Sequence, residues 1–440
     1  IWFEVGNTPP EEINAKAASL ASYLAGQWQG AGVSSRPRET GEWDPSAHRK
    51  SGILKLAQVI GTRHVLLIAD DVWEETPVTW INEALRGCPN AAALFTSRIS
   101  RLVGSKGREI SVDYMSREEA RQLVGENLPL SMAANLDVER LLDITGRWPL
   151  LIKLAKGLIQ LEAEAGSQDP DRELNCYDLA LAKVIDKLTA DGVVEITDVA
   201  HTQEARHTNL GVVIHHSMER LKTQPGIAAI LHSGQAFGFC IQDHFGGAQN
   251  FRDVDGLFHS LALFPEDSHI YVDSVAPLWN MSPGHVKQIF RQLHKYSLLD
   301  FLQEEGEDCY IRLHDEISRY LNEKFKGYEA QLHARWLDAM SARYHFSHYL
   351  EQCLAKQTFT KHMPVYFWRQ HGFHLLKANR ADELLGWLKN PAYLMVRSFA
   401  LNSTYALETD IHSCMMAAIE QQQIPVSEFL DELKCHLPHL

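Results

Sequence analysis

An apolar run of strand length, residues 65–69, leads directly into two adjacent carboxylates, Asp70 and Asp71. A continuous apolar run favours a strand that is buried on both faces of a parallel sheet. In such sheets, ligands bind beyond the carboxyl ends of the strands. One carboxylate at that edge can hold Mg²⁺, and a second can orient or deprotonate a water molecule. The alternative is a buried strand whose Asp pair caps the next helix.

The length and the charge of the chain limit the class of protein that it can be. At 440 residues it is too long for one hydrophobic core, so we expect about two to four domains. Hydrophobic residues make up 45% and charged residues 22%, as in globular proteins. The net charge of −14 gives no general electrostatic reason to bind nucleic acid or an anionic membrane.

Cysteine usage and hydropathy indicate the compartment. The seven cysteines lie far apart without a C-x-x-C pair, which is typical of reduced thiols rather than of disulfides or a zinc site. No apolar run approaches the length of a membrane span and no signal peptide is visible. We therefore expect a cytoplasmic protein without membrane contact. Because the chain begins with Ile1 and with strand-like residues, we also expect a fragment of a longer protein.

Strand and helix patterns alternate over the first quarter of the chain, which predicts a doubly wound α/β unit with a parallel sheet. Apolar residues at helical spacing identify the helices, and short apolar runs identify the strands. Between the first two helices, residues 29–46 are polar and rich in Gly, Pro and Ser, so we predict a loop. The predicted elements are strands over 1–5, 64–69, 91–96 and, more weakly, 109–112, and helices over 8–24, 53–60 and 77–85.

From Ser116 onward the patterns are almost entirely helical. Ser116 and Glu119 have the spacing of a capping box, and Pro149 is predicted to open a helix. Further along, two short helices, a hairpin and a helix after His314 predict a winged helix. The predicted domains are an α/β domain over 1–114, a helical bundle over 115–224, an insertion or irregular loop over 225–256, a winged helix over 257–325 and a second helical domain over 326–440.

Five short sequences follow one another along the chain: Asp-Asp-Val-Trp at 70–73, Phe-Thr-Ser-Arg at 95–98, Gly-Arg-Trp-Pro-Leu at 146–150, Leu-Ala-Leu-Phe-Pro-Glu-Asp at 261–267 and Leu-His-Asp at 313–315. In this order they resemble the Walker B, sensor, Gly-x-Pro, winged-helix and Met-His-Asp motifs of the NB-ARC ATPases. That family includes the apoptotic protease-activating factor and plant disease-resistance receptors. Residues 363–394 are also similar to the second helical domain of the apoptotic factor.

The resemblance implies a role for five residues. Asp70 would hold Mg²⁺, Asp71 would assist the attack of water, and Arg98 would sense the γ-phosphate of ATP. Pro149 would pack on adenine, and His314 would donate a hydrogen bond to the β-phosphate of ADP. Each has a structural alternative: Arg98 could face solvent at a strand end, Pro149 could simply start its helix, and His314 could be an ordinary packed histidine.

The chain also departs from the family pattern. The phosphate-binding motif G-x-x-x-x-G-K-[ST] does not occur in residues 1–440. We therefore expect a longer protein that carries this loop to bind ATP, ADP and Mg²⁺ and to have weak ATPase activity. We expect residues 1–440 alone to bind the nucleotides weakly or not at all. Arg147 and Trp148 are bulkier than the usual leucine at this motif, and Trp73 and Trp148 are predicted to pack rather than to bind a ligand.

The resemblance implies a nucleotide-gated signalling switch. ADP would connect the α/β domain to the winged helix through His314, and exchange for ATP would release this connection and allow self-oligomerisation in apoptosis-like or innate-immune signalling. The upstream ligand and the downstream effector are not indicated. One alternative is a DNA-binding winged helix, although the turn of its hairpin is acidic. The modestly basic face of this winged helix carries His285, Lys287, Arg291, His294 and Lys295. A second alternative is a scaffold that binds no nucleotide.

Overall fold

A computed structural model describes the chain in two compact units, Ile1–Val112 with Leu407–Thr409 and Asp113–Ala406 with Asp410–Leu440. The first unit is α/β and the second is mostly helical, so the coarse prediction of a multidomain α/β plus α protein is confirmed. The predicted borders within the second unit remain predictions. The described residues are 1–5, most of 13–25, 51–97, 115–131, 135–166, 173–191, 203–233, 239–242, 248–251, 254–266, 268–305, 308–356, 363–401 and single residues between or beyond these ranges.

A three-stranded parallel sheet organises the first unit. Its strands are β1 (Trp2–Glu4), β2 (Val65–Asp70) and β3 (Ala91–Phe95), in the order β1-β2-β3. Helix α1 (Ser51–Ile60) precedes β2, and α2 (Glu75–Leu85) connects β2 to β3. All three strands run in one direction, so their carboxyl ends lie at the same edge.

The prediction that β2 is buried on both faces is wrong. Leu67 and Ala69 are buried in the core, whereas Leu66 is 49% exposed. Ile68 pairs with Leu94 of β3, which is also 49% exposed, so the described residues leave this face of the sheet open. The reason is topological. The connection from β1 to β2 and the connection from β2 to β3 move in the same direction across the sheet. Right-handed crossovers then place the helices of both connections on one face.

Other predictions for the first unit have mixed outcomes. The described residues between 13 and 25 are helical, as predicted, with Ile13 and Ala17 in the core. The predicted strand over 109–112 is wrong where it is described, because Ile110 and Val112 lie outside any strand and are 72% and 94% exposed. The predicted helix start at 8–11 and the predicted loop over 29–46 lie outside the described residues.

The second unit begins with helices that pack around α5. The capping box at Ser116 is present, since its hydroxyl accepts from the backbone N–H of Glu119 and the Glu119 carboxylate accepts in return. Helix α5 packs against α3, α6 and α7. The helices are α3 (Arg117–Gly125), α4 (Asn135–Thr145), α5 (Pro149–Gly166), α6 (Glu173–Ala190) and α7 (Gln203–Lys222).

Residues 225–256 are more regular than predicted. They form α8 (Pro225–Ser233), an antiparallel hairpin of β4 (Phe239–Gln242) and β5 (Ala248–Phe251), and the start of α9 (Val254–His259). The strands have four residues each, which is too short for a clear alternating pattern. The prediction of an irregular loop is therefore wrong for the described part of this segment.

Two helices and a small antiparallel sheet follow, at the places that the sequence predicts. Strand β6 (Ile270–Tyr271) leads into α10 (Val272–Trp279) and α11 (Pro283–Lys295). Strands β7 (Phe301–Glu305) and β8 (Asp308–Arg312) form a hairpin, and the order in the sheet is β6-β8-β7. Helix α12 (Asp315–Lys324) begins directly after His314.

The remaining described residues are helical, as predicted, and enclose a polar network. His333 Nδ1 lies 2.7 Å from His374 Nδ1, and His374 Nε2 lies 3.0 Å from the Tyr366 hydroxyl. All three side chains are buried. The helices are α13 (Glu329–Tyr344), α14 (Phe346–Lys356), α15 (Val365–Lys377), α16 (Ala381–Leu388) and α17 (Pro391–Leu401). None of the helices that the structure describes is long and apolar enough to cross a membrane.

We predict that mild acid destabilises α13–α17. Burial lowers the pKa of His333 to about 4 and the pKa values of His371 and His374 well below their ordinary value of 6.5. The unfolded chain therefore takes up protons that the folded state excludes. The free energy of unfolding therefore has its full value above pH 6.5 and falls as the pH drops toward 4, by about 3 kcal/mol for His333 alone.

Hydrogen exchange of peptides from residues 329–401, corrected for intrinsic rates, measures this effect at pH 7 and pH 5. The His333→Gln variant should lose part of the pH dependence, whereas a variant of the exposed His348, His348→Gln, should keep it. Equal protection at the two pH values in the unmodified protein would contradict the prediction.

Candidate functional site

The carboxyl end of β2 places Asp70 and Asp71 at the edge of the parallel sheet. Asp70 is the last residue of the strand, and Asp71 has a φ of 51°, in the left-handed region. After Asp71 the chain lies beside the end of β3, because the Val72 N–H donates to the Thr96 carbonyl at 2.8 Å. A non-glycine residue with positive φ costs free energy and is typical of functional sites, although aspartate tolerates it better than most residues.

Thr96, at the end of β3, connects the two carboxylate residues. Its hydroxyl donates to Asp70 Oδ1 at 2.5 Å and accepts from the Asp71 backbone N–H at 2.8 Å. The indole N–H of Trp73 donates to Asp71 Oδ2 at 2.9 Å, so Trp73 orients a carboxylate as well as packing. The sequence analysis missed the role of Thr96. The available signal was a hydroxyl directly after the neighbouring strand, at the edge where the carboxylates lie.

The oxygen atoms at this edge fit magnesium that is shared with a phosphate ligand. Two carboxylates and one hydroxyl are the hard donors that Mg²⁺ prefers, and this ion usually keeps only one or two protein carboxylates. No group of three His, Cys, Asp or Glu side chains suited to a metal ion occurs among the residues described. Asp70 and Asp71 thus fit part of a magnesium site whose remaining ligands are water and phosphate.

Arg98, the predicted sensor of the γ-phosphate, lies outside the described residues, and its role remains a prediction. The residue before it is held in place, since the Ser97 hydroxyl donates to the Val72 carbonyl at 2.6 Å. This bond fixes the end of β3 against the turn that follows Asp71.

A tight turn positions Pro149. Gly146 and Arg147 have φ values of 56° and 55°, and the Arg147 N–H donates to the Leu142 carbonyl at 3.2 Å, which ends α4. The guanidinium of Arg147 donates to the Met115 carbonyl at 3.3 Å, so the departure from the family motif is accommodated by a bond within the bundle. Pro149 is the first residue of α5, whose first turn carries no acidic residue. This helix end therefore favours anionic ligands.

His314 caps α12 through one ring nitrogen. Its Nδ1 accepts from the Glu316 N–H at 3.2 Å, which leaves Nε2 as the protonated nitrogen of a neutral ring. Burial lowers the pKa of His314, and this outweighs the acidic residues Asp315, Asp300 and Glu316, which raise it. At neutral pH, His314 is thus an uncharged donor at Nε2.

Within the second unit, α5 packs closely against the segment that follows α11. Gly157 permits this approach, because a Cβ there would overlap the carbonyl oxygen of Tyr296. Glu164 Oε2 accepts from the Tyr296 hydroxyl and Glu164 Oε1 pairs with Lys295 Nζ, each at 2.7 Å. Burial and Glu164 raise the pKa of Tyr296 to about 12. The positive charge of Lys153, one turn into α5, also lowers the pKa of His314.

This packing concerns only one end of the modestly basic helix α11, and the DNA-binding alternative stays a prediction. Lys295 of the modestly basic α11 is paired with Glu164, and the backbone after it lies against Gly157. A recognition helix needs an accessible face for the major groove. The contact with the bundle involves the carboxyl end of α11 only, so it does not decide this alternative.

Comparison with protein-family models and with curated proteins gives no significant match. The functional argument therefore depends on the residues and contacts described above. The structure brings Asp70 and Asp71 together with Thr96 in the first unit, and it places Pro149 and His314 in the second.

Proposed function

We propose that the chain is the core of a nucleotide-gated signalling switch of the NB-ARC type, which binds ATP or ADP with Mg²⁺. The observation that carries the proposal is the paired hydrogen bonding of Thr96 with Asp70 and Asp71 at the carboxyl edge of the parallel sheet. Ligand sites of open α/β sheets lie at this edge. The bonds also connect the Walker B-like strand to the sensor-like strand.

Each side chain at this edge has a distinct task in the proposal. Asp70 holds Mg²⁺, which would neutralise charge on the β- and γ-phosphates when it is bound. Asp71, whose carboxylate is oriented by Trp73, accepts a hydrogen bond from an attacking water. Thr96 orients the Asp70 carboxylate and holds the backbone of Asp71. Arg98 stabilises the charge of the γ-phosphate.

His314 supplies the contact that distinguishes ADP from ATP in this proposal. A neutral ring with its proton on Nε2 can donate to a phosphate oxygen while Nδ1 continues to cap α12. Nucleotide binding and the position of α12 are then coupled through one side chain. Pro149 at the start of α5 packs on the adenine ring, and the positive end of the helix and Lys153 favour a nearby anion.

The order of elements supports the switch assignment. The structure has a short strand, two helices, a hairpin and a further helix, with the sheet order β6-β8-β7, and this order of elements supports the winged-helix prediction. We propose that these residues form a winged helix and residues 326–440 a second helical domain. ATP in place of ADP removes the His314 contact and permits self-association, with an upstream ligand and an effector protein as further partners in the cytoplasm.

Titration of fluorescently labelled ADP into the 440-residue chain tests whether tight ADP binding needs the phosphate loop. We expect a dissociation constant weaker than about 1 μM, because the backbone N–H groups and the lysine of that loop are not among these residues. Asp70→Asn should abolish the effect of Mg²⁺ on the binding that remains. Sub-micromolar affinity of the 440-residue chain would contradict the importance given to the loop.

A further inference from the structure

Three cationic side chains converge on one buried carboxylate in the helical bundle. Glu162 lies near the carboxyl end of α5, and its side chain is 1% exposed. Lys183 Nζ of α6 lies 2.6 Å from Glu162 Oε2, and Lys187, one turn further along α6, pairs with Glu162 Oε1. Arg220 of α7 places its Nη2 3.8 Å from Glu162 Oε2. We call Lys183, Lys187 and Arg220 the cation triad.

The cation triad carries more positive charge than Glu162 can compensate. Burial raises the pKa of Glu162, but the hydrogen bonds from Lys183 and Lys187 and the charge of Arg220 outweigh burial, so the pKa is lowered. Glu162 is therefore ionised at neutral pH and carries one negative charge. Three positive charges lie no further than 3.8 Å from it. Two of these charges have no counterpart in this group.

Two further acids near the cation triad pair with other side chains. Asp191, one turn after Lys187, places its Oδ2 2.6 Å from His216 Nε2. Glu219, next to Arg220 in the chain, places its Oε1 2.5 Å from Lys222 Nζ. Neither carboxylate forms an ion pair with the cation triad. Like charges held this close repel one another, so the triad attracts an additional anion.

The guanidinium of Arg220 gives the more specific indication. Its side chain is 25% exposed, and its Nε is buried without a hydrogen-bond acceptor among the described residues. The contact of Nη2 with Glu162, at 3.8 Å, is too long for a hydrogen bond. The helix dipole favours a cation in the last turn of α7, but it supplies no acceptor. Buried donors without an acceptor cost free energy and indicate a polar ligand or water.

We propose that the cation triad binds a phosphoryl group, as free phosphate or as a phosphomonoester. A doubly charged phosphoryl group offsets the two positive charges that Glu162 leaves, and its oxygens accept from guanidinium and ammonium donors. Lys183 and Lys187 are 56% and 36% exposed, so both can turn from Glu162 toward a ligand. The site is independent of the proposed nucleotide site, since it lies near the carboxyl end of α5 and Pro149 starts that helix.

Isothermal titration calorimetry of the 440-residue chain with sodium phosphate, at constant ionic strength, tests the proposal. We expect saturable binding with a dissociation constant of about 1 mM or tighter. Arg220→Gln and Lys183→Gln should each weaken it about 10-fold. Lys326→Gln, at an exposed lysine outside the bundle, should bind as the unmodified protein does. Acetate, which carries a single charge, should bind at least about 10-fold more weakly than phosphate.

Glu162→Gln separates a ligand site from a simple ion-pair network. This substitution removes the only anion that contacts the cation triad among the described residues, so the protein should unfold at a lower temperature. Phosphate should then bind about 10-fold more tightly and raise the unfolding temperature more than chloride does at equal ionic strength. Glu351→Gln, at an exposed acid elsewhere, is the control and should change neither property.

An acetylated Ala-phosphoserine-Ala tripeptide distinguishes the two sources of the phosphoryl group. Tighter binding of the tripeptide than of phosphate identifies a phosphorylated segment of a partner, and weaker binding identifies free phosphate. Three results would overturn the proposal: no saturation up to about 50 mM phosphate, equal affinity of Arg220→Gln and Lys326→Gln, or acetate binding as tight as that of phosphate. Circular dichroism verifies that each variant is folded. If Arg220→Gln fails to fold, Lys183→Gln decides the outcome, because its side chain is largely exposed.

Discussion

Gly372→Ala is expected to destabilise α13–α17 by about 3–5 kcal/mol, although the same substitution in most helices is stabilising. Gly372 lies in the middle of α15, where a Cβ would overlap the carboxylate of Asp410. The added methyl group therefore displaces Asp410. The displaced carboxylate is the ion-pair partner of Arg397, whose side chain is completely buried.

Arg397 makes this displacement costly. Its Nε donates to the Trp368 carbonyl and its Nη1 to the Tyr393 hydroxyl, each at 2.7 Å, and the Asp410 carboxylate supplies the compensating charge. Burial raises the pKa of Asp410 and Arg397 lowers it. Without the carboxylate, a guanidinium remains buried among neutral groups. Removing one partner of a buried pair costs far more than the pair contributes.

Gly386→Ala is the matched control. Gly386 is also inside a helix of this region, and a Cβ there would meet nothing within 4 Å. It should stabilise α16 by up to about 1 kcal/mol. Asp410→Asn, which keeps the shape and removes the charge, should behave like Gly372→Ala. Hydrogen exchange of residues 329–401 measures the opening free energies, and similar protection in the two alanine variants would contradict this explanation.

The sequence predicted elements whose signals are local. Helical spacing located α1 and α2, the capping box at Ser116 fixed the start of α3, and a hairpin with an acidic turn was predicted where β7 and β8 lie. Contacts between distant residues had no such signal. Nothing near Gly157 or Gly372 in the sequence indicates the carbonyl or the carboxylate that each glycine accommodates.

The candidate site was predictable to the same degree. Asp70 and Asp71 stood out because they end an apolar strand, and the edge of a parallel sheet follows from that alone. Thr96 was missed because its role depends on the register between β2 and β3. The open face at Leu66 and Leu94 was missed because an apolar run does not reveal on which side the helices lie.

When a phosphate loop precedes residues 1–440 in the same chain, His314→Asn should weaken ADP binding about 10- to 100-fold, through the loss of a hydrogen bond to a charged group. Asparagine is a good N-cap residue, so α12 should retain its start, whereas the shorter amide cannot replace the Nε2–H donor. Light scattering should show more self-association of this variant in ADP. His348→Asn, at an exposed histidine, is the control and should match the unmodified protein.

The most direct measurement is the Mg²⁺-dependent dissociation constant of ADP for a chain of residues 1–440 preceded by such a loop, and for its Asp70→Asn and His314→Asn variants. The proposed switch requires both variants to bind ADP at least about 10-fold more weakly, with the effect of Mg²⁺ lost only in Asp70→Asn. Equal affinity of all three proteins would show that the acidic end of β2 and the cap of α12 do not bind the nucleotide.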